Sequence, residues 1–187
     1  MKNLFASILS LFLAAPAFAD VSYSMPAVEG GFKWNSMDFD GSSSNKQTLA
    51  FQMGGSLVVN FNQDFGLKTG LFYSERTFKS DFTGAGSIDG KITYADIPLL
   101  LMFKLEDYAG LYAGLTLANK IGDECNSCGG SDLTGIKSLV TPITIGGQFK
   151  FSEYLGLNIF FETVSGKLAD NIKASRGIGA NLLIAFD

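Results

Sequence analysis

Tyr94-Ala95-Asp96-Ile97-Pro98-Leu99-Leu100-Leu101-Met102-Phe103-Lys104 is the densest apolar run after the first twenty residues, and its reading decides the fold. A membrane helix needs about 20 apolar residues, whereas a tilted membrane strand needs about 9 to 11. Pro98 also argues against a helix interior. Strand side chains alternate, so Ile97, Leu99, Leu101 and Phe103 share one face and Tyr94, Asp96, Pro98, Leu100 and Met102 the other. The lone carboxylate on the second face points to a wet or ion-paired interior behind an oily wall.

Other segments carry the same alternation. Leu49, Phe51, Met53, Leu57, Val59 and Phe61 oppose Ala50, Gln52, Ser56, Val58 and Asn60. After the turn Asn62-Gln63-Asp64, Phe65, Leu67, Thr69, Leu71 and Tyr73 oppose Lys68, Phe72, Ser74 and Arg76. Leu111 to Leu117, Ile143 to Phe151, Leu155 to Thr163 and Ile178 to Phe186 repeat it, and Val28 to Trp34 does so with a weaker oily face. Four polar stretches read as long loops: Ser36 to Gln47, Phe78 to Gly90, Asn119 to Lys137 and Ser165 to Ala174. Short turns fall near Asp64, Asp107 and Glu153.

The count is about eight strands with long and short connections in alternation, the up-and-down order of a small membrane barrel. The expected fold is therefore all-β: a transmembrane antiparallel barrel of eight strands with short periplasmic turns and long extracellular loops. Phe61, Phe65, Phe103, Tyr108, Phe151, Tyr154 and Phe186 collect at the short-turn end, as an aromatic girdle does, with Trp34 and Tyr73 as its thinner outer counterpart. Pro98 and Pro142 lack a ladder donor, so a bulge or gap is expected at each.

The N-terminus carries Lys2, an apolar run from Leu4 to Ala15, and Ala17-Phe18-Ala19 before Asp20. This is the pattern of a secretory signal peptide over residues 1–19, leaving a barrel domain over 20–187. Without Lys2 the 14 Lys and Arg become 13 against 18 Asp and Glu, a net charge of −5. Such an acidic balance gives no reason to expect nucleic acid. A mean hydropathy of +0.22 without a later long apolar run means that hydrophobicity is spread over short segments.

The pattern resembles the eight-stranded outer-membrane barrel families, among them the OmpX/OmpA-type, OmpW-like and PorT-like barrels. Tyr94-Ala95-Asp96-Ile97-Pro98-Leu99-Leu100 looks like the Tyr-x-acidic-Ile-Pro-Leu segment of PorT-like barrels, and the rest of the resemblance, from about Ala27 to Phe186, is pattern. The last strand is similar to the C-terminal signal read by the barrel-assembly machinery, with Phe186 penultimate and Asp187 after it. The resemblance implies a Gram-negative outer membrane and its lipid as surroundings. It implies no particular activity, since such barrels serve as structural proteins, adhesins, solute conduits and secretion parts.

Glu29, Lys33, Lys68, Arg76, Asp96, Lys150 and Glu162 all fall on the inward face. They form either a polar conduit or an ion-paired plug, and eight strands leave room for little but side chains. Unpaired burial is costly, so Asp96 and Glu162 are expected to meet Lys68, Lys150 or Arg76. Cys125 and Cys128 read as a small-loop disulfide in an exported chain. Two thiols without His complete no zinc set. The lack of His removes the Ser-His-Asp and Cys-His arrangements, and no metal, cofactor or catalytic group is expected.

The reading is a non-enzymatic membrane barrel whose structural or surface-interaction role, toward a surface or envelope partner, sits on its long loops. Its alternatives are a narrow conduit for small or apolar solutes, and a soluble lipocalin-like binder in which every face would be reversed.

Overall fold

The computed structural model describes residues 22–23, 26–42, 44–82, 86–106, 108–125 and 135–186. Eight long strands lie among them: β1 Ala27–Phe39, β2 Thr48–Asn60, β3 Phe65–Phe82, β4 Gly86–Glu106, β5 Ala109–Cys125, β6 Ile143–Lys150, β7 Leu155–Ala169 and β8 Ile172–Ala185. Each pairs antiparallel with its neighbours in sequence, and β8 pairs with β1, so the sheet closes on itself. Three short pieces add to the wall: Ser22–Tyr23 beside the end of β2, Ser44–Lys46 beside β3 and Leu139–Val140 beside β5.

Register sets the size of the barrel. Registered partners followed once round run from Leu49 through Trp34, Ile178, Phe161, Ile145, Ala113, Leu101 and Leu67 to Val59, returning to β2 with a shear of ten residues (59 minus 49). Eight strands with that shear tilt by roughly 40° around a backbone cylinder of roughly 8 Å radius. Side chains alone fill such an interior.

The faces are those the alternation predicts. Leu71, Leu101, Ile145 and Ile178 point outward and are 60%, 54%, 56% and 56% exposed, while Glu29, Lys33 and Arg76 point inward and are 0% exposed. A barrel with this polarity belongs in lipid; a lipocalin-like binder would carry it reversed. Asn62 Oδ1 accepts from the backbone N–H groups of Asp64 at 2.9 Å and Phe65 at 2.7 Å, and Ser152 Oγ accepts from that of Leu155 at 3.1 Å, which fixes two of the short turns. Asp107 lies outside the described residues. Aromatic contacts near this end, Phe65 with Phe103 and Tyr108 with Phe149, have ring centroids 5.2 and 5.5 Å apart.

The prolines interrupt the ladder as expected. Between Thr69↔Leu99 and Phe72↔Asp96 the β3–β4 pairing lapses opposite Pro98, while Pro98 stays in register with Thr116 on its other side. Pro142 separates Leu139–Val140 from β6, and its carbonyl accepts from Thr116 N–H at 2.9 Å.

The long loops are shorter than the sequence reading placed them. β1 runs on through Met37 to Phe39, β3 to Phe82, β5 to Cys125 and β7 to Ala169, while β4 starts at Gly86 and β8 at Ile172. Alternation persists in these extensions with its faces exchanged. On β1 the outward residues change from Val28, Phe32 and Trp34 to Ser36 and Asp38, while the inward ones change from Glu29 and Lys33 to Met37 and Phe39. The inward residues Met37, Phe39, Phe78, Ile88, Ile92, Tyr94, Ala118, Val164, Leu168 and Ile172 form one apolar core at the long-loop end. Above the lipid band the wall faces water, so the hydrophobic effect selects the opposite side of the same strand.

Candidate functional site

The inward charges form two networks. In the upper one Lys33 Nζ meets Glu162 Oε1 at 2.8 Å and donates to Ser74 Oγ at 2.7 Å. Arg76 donates to Asp96 through Nη1 at 3.4 Å and Nη2 at 3.1 Å, and Nη2 lies 3.3 Å from Glu162 Oε2. The Arg76 guanidinium also stands over the Tyr94 ring, 4.6 Å from its centroid. In the lower network Lys68 Nζ contacts Glu29 Oε1 at 2.7 Å and donates to Gln148 Oε1 at 2.8 Å. Glu29 further accepts from Ser56 Oγ and from Asn158 Nδ2, each at 2.6 Å, and the Tyr112 hydroxyl bonds Asn158 Oδ1.

Three carboxylates, Glu29, Asp96 and Glu162, thus face three cations, Lys33, Lys68 and Arg76. Six of the seven predicted inward charges come together. Asp96 meets Arg76 as expected, and Glu162 meets Arg76 and also Lys33. Lys150 stays apart: it lines a small recess at the short-turn rim with Ala27, Ser56 and Gln148, half-buried and without an ion pair among the described residues. A half-exposed lysine keeps enough water to need no partner, and of the three cations expected opposite Asp96 and Glu162 it is Arg76 that meets both.

The neutral members, Ser56, Ser74, Tyr112, Gln148 and Asn158, fall on the inward face by alternation but are not singled out by the sequence as parts of a network. Their inward parity was the available signal. Gly146 makes one contact possible, because a Cβ there would collide with the Tyr112 hydroxyl that reaches Asn158.

The space left is small. One cavity of about 40 Å³, lined by Lys68, Phe72, Asp96, Tyr112 and Glu162 among others, has room for a few waters. Toward the long-loop end it is covered by the apolar core of Met37, Phe78, Ile92 and Leu168. Cys125, at the end of β5, is disulfide-bonded, and Cys128 lies outside the described residues. Among the described residues no group of three or more His, Cys, Asp or Glu is placed to hold a metal.

The barrel is similar to two solved structures. Neisserial surface protein A superposes with a TM-score of 0.58 at 15% identity, over 88% of this chain and 99% of that one. The outer membrane protein Ail of Yersinia pestis, in a phospholipid bilayer nanodisc, superposes with a TM-score of 0.50 at 20% identity, over 86% of this chain and 99% of that one. These likenesses bear on the fold. Among curated protein sequences none matches the chain. The description "Outer membrane protein beta-barrel domain" matches over residues 5–186, nearly the whole chain with its closed barrel and oily wall, and the protein belongs to that outer-membrane β-barrel family.

Proposed function

We propose that this chain is exported, loses residues 1–19, and works as a non-conducting surface barrel of a Gram-negative outer membrane, meeting its partner with the long-loop end. The observation that carries this reading is the apolar core inside that end. A solute path would have to displace Met37, Phe39, Phe78, Ile92, Leu168 and Ile172, all buried. Below them the ion pairs neutralise one another, so the lumen offers neither width nor an unpaired charge gradient. What remains to meet a partner is the outside of a rigid extension edged by polar residues and loops.

The names of similar barrels support the same placement: Neisserial surface protein A is by its name a surface protein. The chain is read as non-enzymatic: it has no His, so the His-dependent nucleophile arrangements are closed to it. Assembly would follow the usual route, with β8 and Phe186 presented to the barrel-assembly machinery. The conduit reading remains the rival.

Planar-bilayer recording decides between them. The refolded barrel, shown to be folded by a gel shift between boiled and unboiled samples, is expected to give no unitary conductance. Steady conductance from the wild-type protein would overturn the proposal in favour of the conduit. Sequencing of the mature N-terminus is expected to begin at Asp20.

A further inference from the structure

A groove of about 530 Å³ crosses the outer wall where apolar residues give way to polar ones. Its lining comes from β1 (Trp34, Ser36), the residue before β2 (Gln47), β7 (Phe161) and β8 (Arg176, Gly177, Ile178). Trp34, Ile178 and Phe161 are registered neighbours on adjacent strands and belong to the apolar band. One register step toward the loops the lining becomes Ser36 and Arg176, which face each other across the β1–β8 ladder. The groove is therefore amphipathic along the membrane normal.

Its chemistry favours an anion at the upper end. Arg176 is the single ionised residue in the lining, and its side chain is 64% exposed. One contact holds it, from Nη2 to Asp38 Oδ2 at 3.3 Å, with other guanidinium N–H groups left over. An exposed pair of this kind contributes little and yields readily to a better acceptor. The Ser36 hydroxyl and the Gln47 amide have no hydrogen-bond partner among the described residues. A cation with fork geometry beside two free donors matches a phosphate group. The apolar lower half, with an indole at interfacial depth, matches the acyl chain beneath it.

We propose that this groove binds a net-anionic, phosphate-bearing membrane lipid, its headgroup phosphate on Arg176 with Ser36 and Gln47, and an acyl chain over Ile178 between Trp34 and Phe161. The site lies on the outside of the barrel at the upper edge of the lipid-facing wall, apart from the lumen.

Trp34 is the chain's one tryptophan, so it reports on the groove alone. The barrel in detergent is titrated with phosphatidic acid carrying brominated chains, and separately with phosphatidylcholine carrying the same chains, while Trp34 fluorescence is followed. Phosphatidic acid is expected to half-quench at about tenfold lower concentration, the scale of one charge-assisted contact. R176Q should erase that preference. The charge-matched double variant D38N/R176Q should erase it too, and D38N alone should keep it. Inorganic phosphate should leave quenching unchanged. Equal quenching by the two lipids in the wild type, a preference that survives in both Arg176 variants, or displacement of the lipid by inorganic phosphate would each overturn the proposal. Boiled and unboiled gel lanes confirm that every variant is folded.

Discussion

Arg76 has no exposed surface and is held by Asp96, Glu162 and the face of Tyr94. Truncating one member of a buried ion network leaves its partners charged and unpaired, which costs about 3–5 kcal/mol. R76A is therefore expected to lower the unfolding free energy of the refolded barrel, read from urea titration, by that amount, and E162Q by less, because the amide keeps a carbonyl oxygen for Lys33 and Arg76 keeps Asp96. Equal and small effects would mean that lumen water satisfies these groups. On the outer surface, Lys91 Nζ lies 3.3 Å from Glu75 Oε1 and 3.5 Å from Glu124 Oε2. The hydrogen bond that Lys91 donates to Glu75, then the attraction of both carboxylates, raises its pKa. A raised folded value stabilises the protein below the ordinary lysine range of about 10.4, and that stabilisation disappears as pH climbs through the folded value. Wild type and K91M should then differ in urea midpoint near about pH 8 and converge above about pH 12. A difference that persists at the alkaline end would contradict the pairing. That Lys33, Lys68 and Arg76 point inward was legible from parity along single strands. Arg76 meets Asp96 and Glu162 within the expected set, whereas the partners of Lys33 and Lys68 were not legible, because Lys33 on β1 meets Glu162 on β7 across β8, and a sequence does not display the stagger that aligns them.

At the scale of strands, parity has one meaning in the lipid and the opposite meaning above it. In the sequence the oily residues of β3 reach Tyr73, and the polar, Gly-rich stretch from Phe78 reads as loop. The strand in fact runs on to Phe82 with Glu75, Thr77 and Lys79 outward and Phe78 inward. Turns at Asn62 and Ser152 were legible, since their side chains cap the backbone locally. The exchange of faces was not, because it depends on where the membrane ends. It makes a paired prediction. L168A, in the inward core, should cost about 2–5 kcal/mol as a cavity mutation in a water-soluble protein does. L101R, on the outward lipid face, should cost about 2–4 kcal/mol near the midplane. K79L, outward on the extension, should change stability by less than about 0.5 kcal/mol. Urea titration in the same lipid checks all three, and a large penalty for K79L would place the membrane boundary higher than the exchange of faces does.

Taken whole, the molecule is a cylinder whose shear of ten residues leaves an interior that side chains close. Its upper half is built like a water-soluble protein and its lower half like a membrane one, joined along continuous strands. The central claim is this exchange of faces at one level of the wall. Methyl-resolved nuclear Overhauser contacts in lipid nanodiscs test it most directly. Leu101, Leu111, Ile145 and Ile178 should show contacts to acyl chains, whereas Ile92, Leu168 and Ile172 should show contacts to one another and none to lipid. Acyl contacts at Leu168 and Ile172, or their absence at Leu101 and Ile178, would contradict the account.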